Sequence, residues 1–63
     1  MMISYRVYCN RRKIEQWEKP WTWPFIWYIG IRIQRSKRWY EVRKIVNECY
    51  SNRVKIYVKE LTS

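Results

Sequence analysis

The chain lacks histidine and aspartate altogether, although it has 63 residues. Its five glutamates are the only acidic side chains, so a Ser-His-Asp triad cannot be built. The two cysteines, Cys9 and Cys49, lie far apart in the sequence, whereas zinc sites use closely spaced Cys or His pairs. These absences predict a protein that is not an enzyme and holds no metal or other cofactor.

The chain also lacks a long apolar run. Its most apolar stretch, residues 25–31, is far shorter than the roughly 20 residues of a membrane-spanning helix. The first ten residues lack the basic and apolar segments of a secretory signal. We therefore expect an intracellular, cytoplasmic protein without a membrane span, in which Cys9 and Cys49 are free buried thiols. A disulfide between them is the alternative, because both are predicted to face the core.

Positive charge and aromatic rings are abundant. Fourteen Lys and Arg oppose the five Glu, which gives a net charge of +9, and twelve residues are Trp, Tyr or Phe. Cations neutralise phosphates and flat rings stack on bases, so the combination is typical of nucleic-acid-binding proteins. The rings also have a structural interpretation, since a single domain spanning 1–63 has a small core that large aromatics fill efficiently.

Apolar and polar residues alternate in three segments, which predicts three strands: 3–9, 25–34 and 53–61. The segment 14–24 contains two prolines and predicts an ordered loop, or an irregular edge, whose tryptophans fold back over the core. The residues expected in the core include Tyr5, Phe25, Trp27 and Trp39.

Residues 36–50 predict a helix. Ser36 is a suitable N-cap, and apolar residues recur at helical spacing after it. They are Trp39, Val42, Ile45, Val46, Cys49 and Tyr50. The predicted fold is therefore α+β: a small β-β-α-β domain with a three-stranded sheet in order 2-1-3 and one helix packed on one face. The first strand lies between the other two and antiparallel to both. This is half of a ferredoxin-like unit, which leaves open a homodimer in which a second copy completes the sheet.

The predicted sheet face opposite the helix collects tyrosines and cations. It contains Arg6, Tyr8, Tyr28, Arg32, Lys55, Tyr57 and Lys59. Such a face is typical of the platforms on which single-stranded nucleic acid stacks. An ordinary solvated face and an interface with another subunit are the alternatives.

A second basic cluster lies in the loop after the first strand and at the predicted helix start. Its members are Arg11, Arg12, Lys13, Arg35, Lys37 and Arg38. These residues extend the binding surface if the loop and the helix start share one edge, and free amides at the helix N-terminus would attract a phosphate. The alternative is a solvated loop.

The leading hypothesis is a small, basic, non-enzymatic protein that binds DNA or RNA, preferably single-stranded. The alternative is a small interaction or inhibitor protein, of the viral or phage accessory type, that docks on an acidic protein partner. Two other interpretations have less support. Membrane-surface binding through Trp17, Trp21 and Trp23 lacks an accompanying basic amphipathic helix. RNA cleavage would depend on Arg6, Tyr8 and Arg32. Binding alone already explains why these residues are present, so they give no separate support for cleavage.

Overall fold

The computed structural model describes residues 1–61, apart from the side chain of Cys49, and these residues form strands, turns and one long loop. The elements are β1 (Met2–Cys9), β2 (Arg12–Pro20), β3 (Arg32–Arg35), β4 (Arg38–Glu48) and β5 (Arg53–Leu61), with a short 3₁₀ turn at Cys49–Ser51. No α-helix is present in this part of the chain. No helix here is long and apolar enough to cross a membrane.

The strands form one sheet in the order β2-β1-β5-β4-β3, with every pair antiparallel except β1 and β5. The predicted β-β-α-β fold with sheet order 2-1-3 is therefore wrong. Strands at 3–9 and 53–61 are confirmed, and they are neighbours as expected, but they run parallel rather than antiparallel. Between them the chain makes three further strands, so it returns to the starting end of β1 before β5 begins. The homodimer was expected because a half ferredoxin-like unit would leave one side of the sheet open. The five-stranded sheet is not such a unit, so that argument for a homodimer no longer applies.

The predicted helix is instead the longest strand, β4. Val42 pairs with Val58, but a bulge at Arg43 shifts the register so that Ile45, not Lys44, lies opposite Ile56. The inward positions are thus three residues apart at this point, which reproduces the i, i+3 spacing of a helix. The segment has no Ala or Leu and is rich in Val, Ile, Tyr and Trp, a composition that favours strands.

Ser36 does not cap a helix. Ser36 and Lys37 form the two-residue turn between β3 and β4, with φ of 54° and 63°. Asn10 and Arg11 join β1 to β2 in the same way, with φ of 51° and 65°. Positive φ at both central residues is the pattern of type I′ turns, whose twist matches that of paired strands.

The predicted strand at 25–34 is only partly present, because β3 covers residues 32–35 alone. Residues 21–31 form a loop, whereas residues 14–20, predicted to lie in an ordered loop or an irregular edge, belong to the edge strand β2. The loop ends in a turn closed by the Ile31 amide, which donates to the Tyr28 carbonyl at 3.1 Å. Gly30 has φ of 99° within that turn, a conformation that L side chains rarely adopt.

The core lies on one face of the sheet, called here the inner face. Its buried members are Tyr5, Val7, Cys9, Ile33, Tyr40, Val42, Val54, Ile56 and Val58. The loop at 21–31 folds back over this face and takes the place assigned to the helix. Of the tryptophans in the predicted loop at 14–24, Trp23 and Trp17 do pack against the core, although Trp17 does so from β2. Trp23, Phe25 and Trp27 pack against the core, whereas Trp21 remains exposed. Trp39, predicted in the core, is half exposed on β4.

Tyr5 is the centre of the aromatic cluster that the loop contributes. Its ring centroid lies 5.0 Å from that of Phe25, 5.2 Å from Trp23 and 5.5 Å from Trp17 on β2. Offset and edge-on ring pairs of this kind add to the energy of area burial. The cluster therefore fixes the loop to the sheet without regular secondary structure.

An ion pair links the two edge strands of the sheet. Arg35 on β3 donates from Nε to both carboxylate oxygens of Glu15 on β2, at 2.8 and 3.1 Å. The Arg35 guanidinium also lies 5.7 Å from the ring centroid of Trp27 in the loop. Since β2 and β3 are at opposite ends of the strand order, the sheet must curl around its inner face. The outer face lies on the side of the sheet away from the core.

Candidate nucleic-acid interface

Tyr8 and Tyr57 form a stacked pair on the outer face. They are direct partners across the parallel strands β1 and β5, with ring centroids 5.5 Å apart and planes inclined by 24°. Both rings are half-buried, although no other segment among residues 1–61 packs over them as the loop packs over the inner face. Each ring therefore has limited freedom while one side remains accessible.

A lysine flanks the tyrosine pair on each side. Lys13 of β2 is the partner of Tyr8, and Lys44 of β4 is the partner of Tyr57. The result is a cation-ring-ring-cation arrangement across four adjacent strands, called here the tyrosine row: Lys13, Tyr8, Tyr57 and Lys44. With strands about 4.8 Å apart, the row is roughly 14 Å long. No carboxylate stands in it.

The neighbouring row on the outer face is also basic. Arg6 and Lys55 are direct partners, and like charges directly opposite each other are unfavourable in a sheet. Lys55 is partly compensated by Glu48, at 3.7 Å between Nζ and Oε2. The Nε of Arg6 is buried and has no hydrogen-bond partner within the described part of the chain. A bound anion would relieve this local excess of positive charge.

Carboxylates compensate the cations at the margins of the face. Glu41 lies 3.7 Å from Arg32 and 3.1 Å from Arg43, while Glu48 lies near both Arg53 and Lys55. Lys59 is the strand partner of Glu41. The least compensated part of the outer face consequently includes the tyrosine row.

Three members of the second basic cluster, Arg12, Lys13 and Arg38, line an open groove of about 700 Å³ at one end of the sheet. This end groove lies between the β1–β2 turn and the β3–β4 turn. It is lined by Cys9, Asn10, Arg12, Lys13, Ile14, Ser36, Arg38, Tyr40 and Glu60. The loop after β1 and the segment around Ser36 thus share one edge, as predicted, but both are hairpin turns. The helix N-terminus that was expected to hold a phosphate is absent from the described residues.

The structure brings most, but not all, of the predicted binding residues together. Arg6, Tyr8, Lys55 and Tyr57 lie on the outer face, while Arg12, Lys13 and Arg38 line the end groove. Arg11 and Lys37 are exposed in the two turns, and Lys59 and Arg32 lie toward the margin of the face.

Two predicted residues lie elsewhere. Tyr28 is exposed in the loop before β3, off the paired sheet, and Arg35 takes part in the Glu15 ion pair. Neither joins the tyrosine row.

Lys44 is the important residue that sequence reasoning missed, because it was assigned to a helix. The β-branched and aromatic composition of 38–48 favours a strand, and this signal could have indicated that Lys44 lies in a sheet. Tyr40 in the end groove was missed for the same reason, whereas Glu60 was placed correctly on a strand and not predicted to lie near a site. Cys9 is a free, buried thiol, and the side chain of Cys49 lies outside the described residues.

Comparisons with protein-family models, curated proteins and solved structures found no match for this chain.

Proposed function

We propose that this chain is a small, non-enzymatic protein that binds single-stranded nucleic acid on its outer face. The observation that carries the proposal is the tyrosine row, where two stacked rings lie between two lysines without a carboxylate. Bases stack on the rings and the flanking lysines neutralise phosphates, a division of labour that tolerates any sequence. The open outer face favours a single strand, because bases paired in a duplex have no free ring to stack.

The charge of the whole chain supports the same proposal. With fourteen Lys and Arg against five Glu, the protein attracts polyanions over distances set by the Debye length. The proposal includes an intracellular location, because nucleic acid is abundant there and because the reducing environment keeps a thiol such as that of Cys9 free.

A salt titration of binding tests the proposal. Contacts to about six phosphates predict a slope of log affinity against log salt near −4 on a single strand. Fluorescence anisotropy with a labelled oligonucleotide at several salt concentrations measures this slope, and a duplex of the same sequence serves as the comparison. A flat salt dependence, or equal affinity for the duplex, contradicts stacking on the tyrosine row.

Docking on an acidic protein is the second candidate, and a specific observation favours it. Trp21, Ile26 and Ile29 are exposed in the loop at 21–31, where apolar side chains without a partner are typical of protein interfaces. Binding then combines these side chains with the positive charge. Affinity capture with and without nuclease separates the candidates, because contacts bridged by nucleic acid disappear after digestion and direct protein contacts persist.

A further inference from the structure

The end groove has the size of a small-ligand site. Its volume of about 700 Å³ falls within the range of roughly 300–1,000 Å³ that holds small molecules. Two side chains with little solvent exposure, Tyr40 and Cys9, form part of its lining.

The charged groups of the groove favour an anion. Arg12, Lys13 and Arg38 contribute three cations, and Glu60 contributes the only carboxylate among the described lining residues. Glu60 is 3.4 Å from Nη1 of Arg38, which leaves that guanidinium with other donors. Arg12 forms no ion pair within residues 1–61. The lining therefore has an excess of two positive charges.

That excess matches a terminal phosphate better than an internal one. A phosphate monoester carries a charge of about −1.5 to −2 near neutral pH, whereas each internal diester carries −1. Arginine forks also hold a monoester in a defined orientation through paired hydrogen bonds.

Lys13 connects the groove with the outer face. The residue lines the groove, and its Nζ donates to Oε1 of Gln16 at 2.6 Å on the outer side of β2. Lys13 is also the partner of Tyr8 in the tyrosine row. Cys9 follows Tyr8 in β1 but faces the inner side, so a strand stacked on the row reaches the groove by passing over the end of the sheet beside the β1–β2 turn, where Lys13 lies.

We infer that the end groove holds the terminal phosphate of a nucleic-acid strand whose adjoining bases stack on the tyrosine row. This inference rests on the proposed function, because it extends the same surface to the strand end. Arg12 and Arg38 bind the phosphate oxygens, and Lys13 lies where the strand passes from the groove to the rings. The protein thereby distinguishes phosphorylated ends from hydroxyl ends.

Three oligonucleotides of identical sequence test the inference: one with a 5′-phosphate, one with a 3′-phosphate and one with hydroxyls at both ends. Each carries its fluorophore at an internal position, so that both ends are free. One phosphorylated strand is expected to bind at least about tenfold more tightly than the hydroxyl strand, the effect of one charge-assisted hydrogen bond. Which of the two strands is favoured identifies the end that the groove accepts.

Variants attribute the difference to the groove. Arg12→Gln is expected to bring the affinity ratio of phosphorylated to hydroxyl strands close to one. Lys55→Gln, on the outer face, lowers all three affinities by a similar factor and preserves the ratio. Arg38→Gln is the second groove variant if Arg12→Gln unfolds, as judged by circular dichroism.

Equal binding of the three strands by the unaltered protein overturns the inference and leaves the proposed function standing. A ratio that survives both groove variants also overturns it. If no strand binds, the proposed function and the inference both fail.

Discussion

Tyr57 is held on the outer face by its stack with Tyr8, whose ring centroid is 5.5 Å away. If the exposed side of this ring stacks on a base, Tyr57→Ala weakens single-strand binding by about 1–3 kcal/mol. Tyr57→Phe keeps the ring and is expected to bind within about twofold of the unaltered protein. Anisotropy titrations of both variants measure the effect. Equal losses in the two variants would show that the hydroxyl group, not stacking, supports binding.

Ile56 is fully buried on the central strand β5, where its strand partners are Val7 of β1 and Ile45 of β4. Ile56→Ala removes buried methyl groups and leaves a cavity, so we expect it to lower the free energy of unfolding by about 2–5 kcal/mol. Ile26→Ala is the matched control, because Ile26 is 74% exposed in the loop. Urea unfolding measures both. A large effect of the control would place Ile26 in a packed environment.

At the level of elements, β4 decides the architecture, and its bulge explains why the prediction of a helix was wrong. Val42 and Ile45 both face inward although three residues separate them, because the bulge at Arg43 inserts an extra position. A spacing of three residues between apolar positions in so short a segment can therefore come either from a helix or from a strand with a bulge. The pairing of β4 with β5 on one edge and β3 on the other selects the strand.

The turn between β3 and β4 offers a direct test of strand against helix. Lys37 has φ of 63°, and L residues pay about 1–2 kcal/mol for a left-handed conformation that glycine adopts freely. Lys37→Gly is thus expected to raise the free energy of unfolding by about 1 kcal/mol, whereas glycine inside a helix would lower it by a similar amount. Thermal unfolding gives the sign. Lys44→Gly, in the middle of β4, is the control and should destabilise.

At the scale of the whole molecule, positive charge is spread over a body measuring 39 × 22 × 19 Å. A net charge of +9 on so small a body produces self-repulsion, and the like-charged neighbours Arg6 and Lys55 are one local instance. The partial neutralisation of this charge by a polyanion is consistent with the function proposed above.

Salt should stabilise the molecule, because screening weakens that repulsion. We expect Tm to rise between about 20 mM and 500 mM NaCl, over which the Debye length falls from roughly 20 Å to below 5 Å. The ion pairs work in the opposite direction, but they lie at partly exposed positions where each contributes little. Differential scanning calorimetry measures the trend, and a falling Tm would mean that attraction between paired charges dominates.

The charge, the aromatic content and the phase of β1 and β5 follow directly from the order of the amino acids. Strict alternation assigns Tyr5, Val7, Val54 and Ile56 inward, and it places Tyr8 and Tyr57 on the other face, because successive side chains of a strand point in opposite directions. This local rule needs no knowledge of the partner strand. Half of the tyrosine row was therefore predictable.

The neighbours of each strand, the parallel pairing of β1 with β5 and the cover over the core depend on tertiary contacts. The bulge in β4, the return of the loop at 21–31 onto Tyr5 and the Arg35–Glu15 link between the sheet edges depend on residues far apart in sequence. Lys44 joins the tyrosine row through such a pairing, and so do the opposing walls of the end groove. Alternation along one strand carries no information about these long-range contacts, and they are what assemble the proposed site.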